Sequence, residues 1–253
     1  ALAATTAAAA AAVACFALRR LRRGWRLDAS TFAKPYARWT TLAFALVPWT
    51  HEGGKGTRAL MIGLGGGTLC RHWRALLPLC AIDAVEINSL VIAAAQRQFG
   101  LRPTQGRLAL FCEDGSAFVA RAPAGFYRLI LCDLDAGTLD GSAQHFRSAL
   151  ALDGALVINS FFEEKGPRRL LLLGRALHAL LANFEEVHIV RTGPHNSMFI
   201  ALPRASALDR EGVSERAGEL CRRLRLPFDL CADVINNETY AIRRPGKVPA
   251  ADS

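Results

Sequence analysis

The sequence predicts an α/β fold, in which helices cover both faces of a mostly parallel β-sheet. From residue 58 onward, short apolar or β-branched runs alternate with longer helical patterns. A glycine-rich turn separates the first run from the first helical pattern, and two runs near residue 200 are joined by a short Gly-Pro turn. Parallel strands need long crossover connections, which the helices supply, whereas a short turn joins antiparallel strands.

Seven strands follow from this pattern. They cover residues 59–64, 81–87, 107–112, 127–134, 154–161, 187–191 and 197–202. The longer helices are predicted over residues 68–79, 88–100 and 168–184. Thr192, Gly193 and Pro194 join the last two strands and predict an antiparallel hairpin at the sheet edge. Parallel strands with such a terminal hairpin are typical of class I methyltransferase folds rather than of plain dinucleotide-binding folds.

The net charge of +9 is not a specific nucleic-acid signal. Residues 1–28 contain five arginines and one acidic residue, a net charge of +4, and the remaining 225 residues carry +5 without a dense basic block. A mildly basic surface of this kind fits an ordinary solvated face. We therefore expect no specific nucleic-acid partner.

Residues 1–28 form an Ala-rich and then Arg-rich leader with three open interpretations. It has features of an organelle transit peptide, of a membrane-contacting segment and of a low-complexity linker. We expect any membrane contact to involve this segment alone. The cofactor-binding domain is predicted over residues 29–203, and a helical C-terminal appendage over residues 204–253.

The chain has seven cysteines, with no CxxC pair and no Cys/His grouping at zinc-ligand spacing. We therefore predict no metal site. An odd number of cysteines cannot all pair within one chain, and two of them lie in apolar strand-like runs. These features predict an intracellular, reducing compartment, either the cytoplasm or an organelle.

The sharpest local signal is the turn between the first strand and the first helix, Ile62-Gly63-Leu64-Gly65-Gly66-Gly67-Thr68. A turn without side chains lets a ligand approach the backbone, and the helix N-terminus directs amide groups at it. Glu86 lies 23 residues after Gly63 and ends the second strand, where a carboxylate accepts hydrogen bonds from both ribose hydroxyls of a nucleoside. The alternative is a packing turn beside a solvated glutamate. Because strand, turn, helix and acid occur in order, the nucleoside site is favoured.

A dinucleotide fingerprint would need a third glycine or alanine at position 68, where this chain has Thr68. Asp114 and Gly115 close the third strand and suit recognition of an adenine edge, although such a pair is also an ordinary helix cap. Together these features predict S-adenosylmethionine, or its decarboxylated relative, as the cofactor.

Asp133 ends the fourth strand, at the switch point where open α/β sheets bind ligands. A carboxylate there can orient an ammonium group and help it lose a proton. Asp135 is a second candidate catalytic acid. The alternative is that Asp133 caps a loop and Asp135 is solvated.

The ordered segments LMIGLGGGTL, IDAVEIN, CEDGSAF and YRLILCDLDAG resemble the spermidine-synthase-like branch of the class I S-adenosylmethionine-dependent transferases. Within it, they are most similar to the C-terminal domain of the eukaryotic elongation factor 1-alpha lysine/N-terminal methyltransferase. The resemblance implies a Rossmann-like seven-stranded sheet, mostly parallel with a terminal antiparallel hairpin. It also implies a set of cofactor-binding residues, namely Gly63, Gly65, Gly66, Gly67, Glu86, Ile87, Asp114, Gly115 and Asp133.

Three departures from polyamine aminopropyltransferases favour methyl transfer. The aspartate that those enzymes carry in their glycine loop is absent, and the acidic loop is shortened to Asp133-Leu134-Asp135. Only about thirty residues separate the arginine run from the first strand, too few for their strand-rich N-terminal domain. We expect an S-adenosylmethionine-dependent methyltransferase with an amine acceptor, amines on proteins included. An aminopropyltransferase and a non-catalytic homologue that binds a nucleoside or a partner remain alternatives.

Overall fold

A mixed β-sheet of eight strands forms the centre of the described part of the chain. The computed structural model describes residues 35–47, 53–133, 141–161, 167–193, 196–206, 208–226, 228–236 and 240–243. The predicted leader, Asp135 and Pro194 lie outside these residues. The strands are β1 (Arg58–Ile62), β2 (Ala81–Glu86), β3 (Leu108–Cys112), β4 (Tyr127–Cys132), β5 (Leu150–Phe161), β6 (Glu186–Arg191), β7 (Asn196–Leu202) and β8 (Tyr240–Arg243).

The strand order is β3-β2-β1-β4-β5-β7-β6-β8. Strands β1 to β5 pair in parallel, and β7 runs antiparallel between β5 and β6. The prediction of a mostly parallel sheet of seven strands with a terminal hairpin is confirmed. An eighth strand, β8, was not predicted and pairs antiparallel with β6, so the hairpin is not the outermost part of this sheet. The four residues of β8 are too few to show a strand pattern in the sequence.

Helices flank both faces of the sheet. They are α1 (Pro35–Thr40), α2 (Leu42–Leu46), α3 (Thr68–Leu76), α4 (Ser89–Arg97), α5 (Gly115–Ala120), α6 (Ala143–Ala149), α7 (Pro167–Asn183), α8 (Arg210–Leu224) and α9 (Leu230–Asn236). The predicted helix over residues 68–79 ends earlier, at Leu76, two residues before Pro78. Proline disfavours helical geometry in the residue before it and cannot donate a backbone hydrogen bond.

Strand β1 shows how two cores arise from one sheet. Ala59 and Met61 join the core that includes residues of α2, α3 and α8, whereas Leu60 and Ile62 join the core that includes residues of α5, α6 and α7. Successive side chains of a strand point to opposite faces, so one apolar run serves both cores. Because both faces of the strands are buried, their sequences are continuous apolar segments rather than alternating ones.

The segment before the sheet packs against the helix that follows the glycine loop. Thr41 Oγ1 lies 2.8 Å from His72 Nε2, and Trp73 Nε1 donates to Thr40 Oγ1 at 3.2 Å. The ring of Phe44 meets Trp73 edge-on, with 5.5 Å between their centroids. These buried contacts hold α3 against the segment that precedes the sheet, within one shared core.

None of the described helices has the length and apolar character needed to cross a bilayer. The domain boundaries after residues 28 and 203 stay predictions. Because β1 to β4 are parallel, the residues that follow them lie along one edge of the sheet, which we call the carboxyl edge.

Candidate nucleoside and acceptor site

Backbone hydrogen bonds draw the predicted site segments together at the carboxyl edge. Gly63 N donates to Val85 O at 2.9 Å, and Asp133 N donates to Ile62 O at 2.9 Å. Glu113 N donates to Glu86 O at 3.2 Å. The tips of β3, β2, β1 and β4 therefore lie side by side, in that order.

The glycine loop, residues 63–67, has three glycines with positive φ, and at two of them, Gly63 and Gly67, a Cβ atom would also lie under 3.0 Å from a neighbouring atom. Gly63 has φ of 87°, and a Cβ atom there would lie 2.7 Å from the carbonyl oxygen of Asp133. Gly67 has φ of 72° and precedes α3 as its N-cap residue. At Gly65, by contrast, a Cβ atom would meet nothing within 4 Å, so this part of the loop is open. The loop is thus bent tightly against β4 and leaves space at its crest.

Glu86 faces the glycine loop, as the nucleoside prediction requires. Leu64 N donates to Glu86 Oε2 at 3.0 Å, and Asn88 N donates to Glu86 Oε1 at 3.1 Å. Each carboxylate oxygen has two lone pairs, so each can still accept a hydrogen bond from a ribose hydroxyl. Two backbone donors hold the carboxylate in place before any ligand arrives.

Asp114 and Gly115 have clear structural roles. Asp114 Oδ1 accepts a hydrogen bond from Ala117 N at 2.8 Å and caps α5, which is the alternative considered for this pair. A Cβ atom on Gly115 would lie 2.2 Å from Ile62 Cγ2, so glycine lets α5 approach β1 closely. Asp114 is exposed beside the strand tips, and its contact with adenine stays a prediction.

Ile87 follows Glu86 and exposes 54% of its surface, although it is a large apolar residue. An exposed apolar side chain beside the Glu86 carboxylate suits the face of a nucleobase. Its assignment to the cofactor therefore remains a prediction with a compatible geometry.

Asp133 lies directly after β4 and is held by a chain of side-chain amides. Asn159 Nδ2 donates to Asp133 Oδ1 at 2.8 Å, and Asn196 Nδ2 donates to Asn159 Oδ1 at 2.9 Å. Asn159 comes from β5 and Asn196 from the start of β7, which pair at this edge. The structure thus places the predicted catalytic acid beside the glycine loop, whereas Asp135 lies outside the described residues.

Three residues of this edge were missed by sequence reasoning, namely Arg71, Asn159 and Asn196. Arg71 donates from Nη1 to Phe99 O at 2.6 Å and from Nη2 to Gly66 O at 2.9 Å, which ties the glycine loop to the segment after α4. A cation one turn into a helix opposes the helix dipole, and this anomaly is the signal that could have identified Arg71. The two asparagines carry no such local signal.

Two titratable groups of α3 are neutral near pH 7. Burial lowers the pKa of His72 from 6.5 to about 4 and raises the pKa of Cys70 from 9.0 to about 11. A neutral imidazole and a protonated thiol add no charge behind the glycine loop. In the part of the chain that the structure describes, no group of three or more His, Cys, Asp or Glu side chains is placed to hold a metal ion.

Known proteins with similar sequences fall into two groups. The chain is 36% identical over 110 residues to an eEF1A lysine and N-terminal methyltransferase homolog of Drosophila pseudoobscura pseudoobscura, covering 42% of this chain and 16% of the relative. It is 27% identical over 187 residues to the human eEF1A lysine and N-terminal methyltransferase, covering 66% of this chain and 26% of the relative. It is also 30% identical over 177 residues to the polyamine aminopropyltransferase of Chromobacterium violaceum, covering 67% of this chain and 66% of the relative. The chain thus spans about a sixth to a quarter of the length of these two methyltransferase relatives.

Solved structures agree with this relationship at the level of the fold. Human methyltransferase-like protein 13 in complex with SAH superposes with a TM-score of 0.66 at 24% identity, covering 76% of this chain and 93% of that chain. A probable spermidine synthase from Corynebacterium glutamicum superposes with a TM-score of 0.60 at 16% identity, covering 83% and 75%. No protein-family model matches the chain.

The fold, the order of the site segments and the relatives agree with one another. The glycine loop, the acid after β2 and the acid after β4 occupy adjoining strand tips, as the resemblance implied. The chain has a Rossmann-like class I methyltransferase fold, and its sequence is similar both to eEF1A lysine and N-terminal methyltransferases and to polyamine aminopropyltransferases.

Proposed function

We propose that the chain is an S-adenosylmethionine-dependent methyltransferase whose acceptor is an amine on a protein. The observation that carries this proposal is the bare N-terminus of α3. Its N-cap residue, Gly67, supplies no side-chain hydrogen bond, whereas Asn88 and Asp114 cap α4 and α5 with their side chains. The first amide groups of α3 therefore lack a side-chain acceptor and favour an anion at this end.

That anion distinguishes the two candidate cofactors. S-adenosylmethionine carries a carboxylate on its amino-acid portion, and its decarboxylated relative has lost this group. A loop without acidic residues in front of a bare helix N-terminus suits the carboxylate. Glu86, held by Leu64 N and Asn88 N, is placed for the ribose of the same molecule.

Once bound, S-adenosylmethionine supplies a methyl group activated by the positively charged sulfonium. The acceptor amine must lose a proton before its lone pair can attack. Asp133, at the adjoining strand tip, attracts the ammonium form, orients its nitrogen and, as a general base, takes up the proton that the amine loses. Most of the rate enhancement is then expected from orientation and exclusion of water.

The amine acceptor is proposed to belong to a protein because two relatives are named as methyltransferases of a lysine and of an N-terminus, which are both amines. The eEF1A protein of those names is therefore the first acceptor to test. Putrescine with the decarboxylated cofactor is the matching test for the aminopropyltransferase alternative.

The test combines calorimetric titration with transfer of a radioactive label. We expect S-adenosylmethionine to bind more tightly than its decarboxylated analogue and NAD, and labelled methyl groups to appear on eEF1A. Glu86→Gln replaces one acceptor oxygen with a donor and should weaken cofactor binding by roughly tenfold or more. Glu219→Gln, an exposed change on α8, is the matched control and should bind like the unmodified chain.

Each other outcome has a defined meaning. Tighter binding of the decarboxylated analogue, with aminopropyl transfer to putrescine, would establish the aminopropyltransferase alternative instead. Cofactor binding without transfer to any amine would indicate a non-catalytic homologue. Binding of NAD alone would contradict the assignment of the nucleoside site.

A further inference from the structure

The amide chain behind Asp133 has only one possible direction of hydrogen bonding. An ionised carboxylate accepts and cannot donate, so Asn159 must present its NH₂ group to Asp133. The Oδ1 atom of Asn159 then points to Asn196, which must donate through its own NH₂ group. The carboxylate therefore sets which end of Asn159 faces it, and the NH₂ group of Asn196 stabilises that orientation.

This arrangement leaves one acceptor without a partner. Asn196 Oδ1 is buried and, among the described residues, makes no hydrogen bond. A buried acceptor without a donor lowers stability, so packing alone would favour an apolar side chain at this position. If the role of Asn196 is to donate its NH₂ group to Asn159, its Oδ1 atom must point away from Asn159, and an unsatisfied oxygen is expected.

We propose that Asn159 and Asn196 are positioning residues that orient the Asp133 carboxylate toward the acceptor amine. Asn159 occupies Oδ1 of Asp133 and restricts rotation of the carboxylate, and Asn196 prevents the Asn159 amide from turning over. Asp133 N is itself bonded to Ile62 O, so the backbone and one carboxylate oxygen are both fixed. The catalytic consequence rests on the proposed function, whereas the direction of the amide chain rests on geometry alone.

Two substitutions at position 196 separate positioning from packing. Asn196→Leu keeps the number and branching of the side-chain heavy atoms and removes the donor. Asn196→Asp is closer in shape but places an acceptor against Asn159 Oδ1, which forces the Asn159 amide to turn and present oxygen to Asp133. A packing role predicts the milder effect for Asn196→Asp, and a positioning role predicts the milder effect for Asn196→Leu.

We expect kcat for methyl transfer to eEF1A to fall by about tenfold in Asn196→Leu and by about 100-fold in Asn196→Asp. The dissociation constant of S-adenosylmethionine should change by less than about twofold in both variants, because neither touches the glycine loop or Glu86. Asn196→Asp should recover relative to the unmodified chain as the pH falls, since a protonated aspartate regains a donor. Asn183→Leu, which loses only a bond to Ala179 O at the far end of α7, is the control and should keep full activity.

A second measurement tests the hydrogen bonds between Asn196, Asn159 and Asp133 without requiring enzymatic turnover. In protein labelled with ¹⁵N-asparagine, the side-chain NH₂ signals of Asn159 should shift, and their hydrogens should exchange faster, in Asn196→Asp but not in Asn183→Leu. Unchanged Asn159 signals would overturn the proposed chain of hydrogen bonds, whatever the activity. Changed signals with an unchanged kcat would overturn the positioning role. Absence of methyl transfer in the unmodified chain would overturn the proposed function and this positioning role, while the NMR result would still decide the geometry.

Discussion

The cofactor half of the carboxyl edge, residues 63–67 with Glu86, is assembled mainly by backbone groups, whereas the acceptor half, Asp133 with Asn159 and Asn196, is assembled by side chains. Backbone amides of Leu64 and Asn88 hold the Glu86 carboxylate. The side-chain amide of Asn159 holds the Asp133 carboxylate, and the side-chain amide of Asn196 holds Asn159. A backbone donor survives almost any substitution, and a side-chain donor does not. We therefore expect side-chain substitutions to have small effects in the cofactor half. In the acceptor half, we expect them to change the position of the Asp133 carboxylate and with it the activity.

The largest expected effect comes from breaking the backbone geometry of the cofactor half. Gly63→Ala forces a left-handed residue and a Cβ atom against Asp133 O, a combined cost of about 3 kcal/mol. The melting temperature should fall by roughly 6–12 °C, and S-adenosylmethionine should bind more weakly.

Gly66→Ala is the matched control for this loop. Gly66 does not have a positive φ, and its Cβ atom would meet the Phe99 ring at an ordinary 3.5 Å. We expect its melting temperature to stay within about 2 °C of the original value. Equal losses in thermal scans of both variants would contradict the special role of Gly63.

The next effect concerns α3, which follows the glycine loop and whose buried His72 contacts Thr41. Because burial lowers the pKa of His72 to about 4, the unfolded chain binds a proton there between pH 6.5 and 4 and the folded chain does not. This stabilisation is complete above pH 6.5 and is lost as the pH falls toward 4, by about 2–3 kcal/mol in total.

Urea unfolding at pH 7 and pH 4.5 measures this loss. His72→Gln cannot titrate, so its unfolding free energy should fall less between the two values than that of the original chain. His178→Gln, on the exposed side of α7, is the control and should show the original pH dependence. The same pH dependence in His72→Gln would refute the assignment to His72.

The smallest of these effects is expected at Arg71, a side chain that ties the glycine loop to the segment after α4. Arg71→Met removes both bonds from the guanidinium to Phe99 O and Gly66 O, and should weaken S-adenosylmethionine binding by about 1 kcal/mol, roughly fivefold. Arg74→Met, in the last turn of α3, loses only an exposed contact to Thr104 and should bind normally. Calorimetric titration measures the dissociation constant of S-adenosylmethionine for both variants. Equal constants in Arg71→Met and Arg74→Met would mean that the backbone hydrogen bonds hold the glycine loop without Arg71.

Strand β5 was correctly predicted, but its first four residues were missed. The strand was predicted from residue 154 but begins at Leu150, because Asp153-Gly154 reads as a break. The register against β4 shifts between Tyr127 and Leu129. A Cβ atom on Gly154 would lie 2.6 Å from Arg128 O, so glycine serves the close approach of two strands here rather than a turn. The structural role of Gly154 therefore depends on its contact with Arg128 in β4, 26 residues earlier in the chain.

The sequence by itself determined the alternation of strands and helices, the glycine loop and the acids at the strand tips, because each of these is written in a few consecutive residues. Only the tertiary structure decided that Asn159 meets Asp133, that Asn196 meets Asn159 and that β8 extends the sheet. Partners 26 and 37 residues apart meet through strand order and register. Those depend on how all the strands pack together, and no local pattern of residues encodes them.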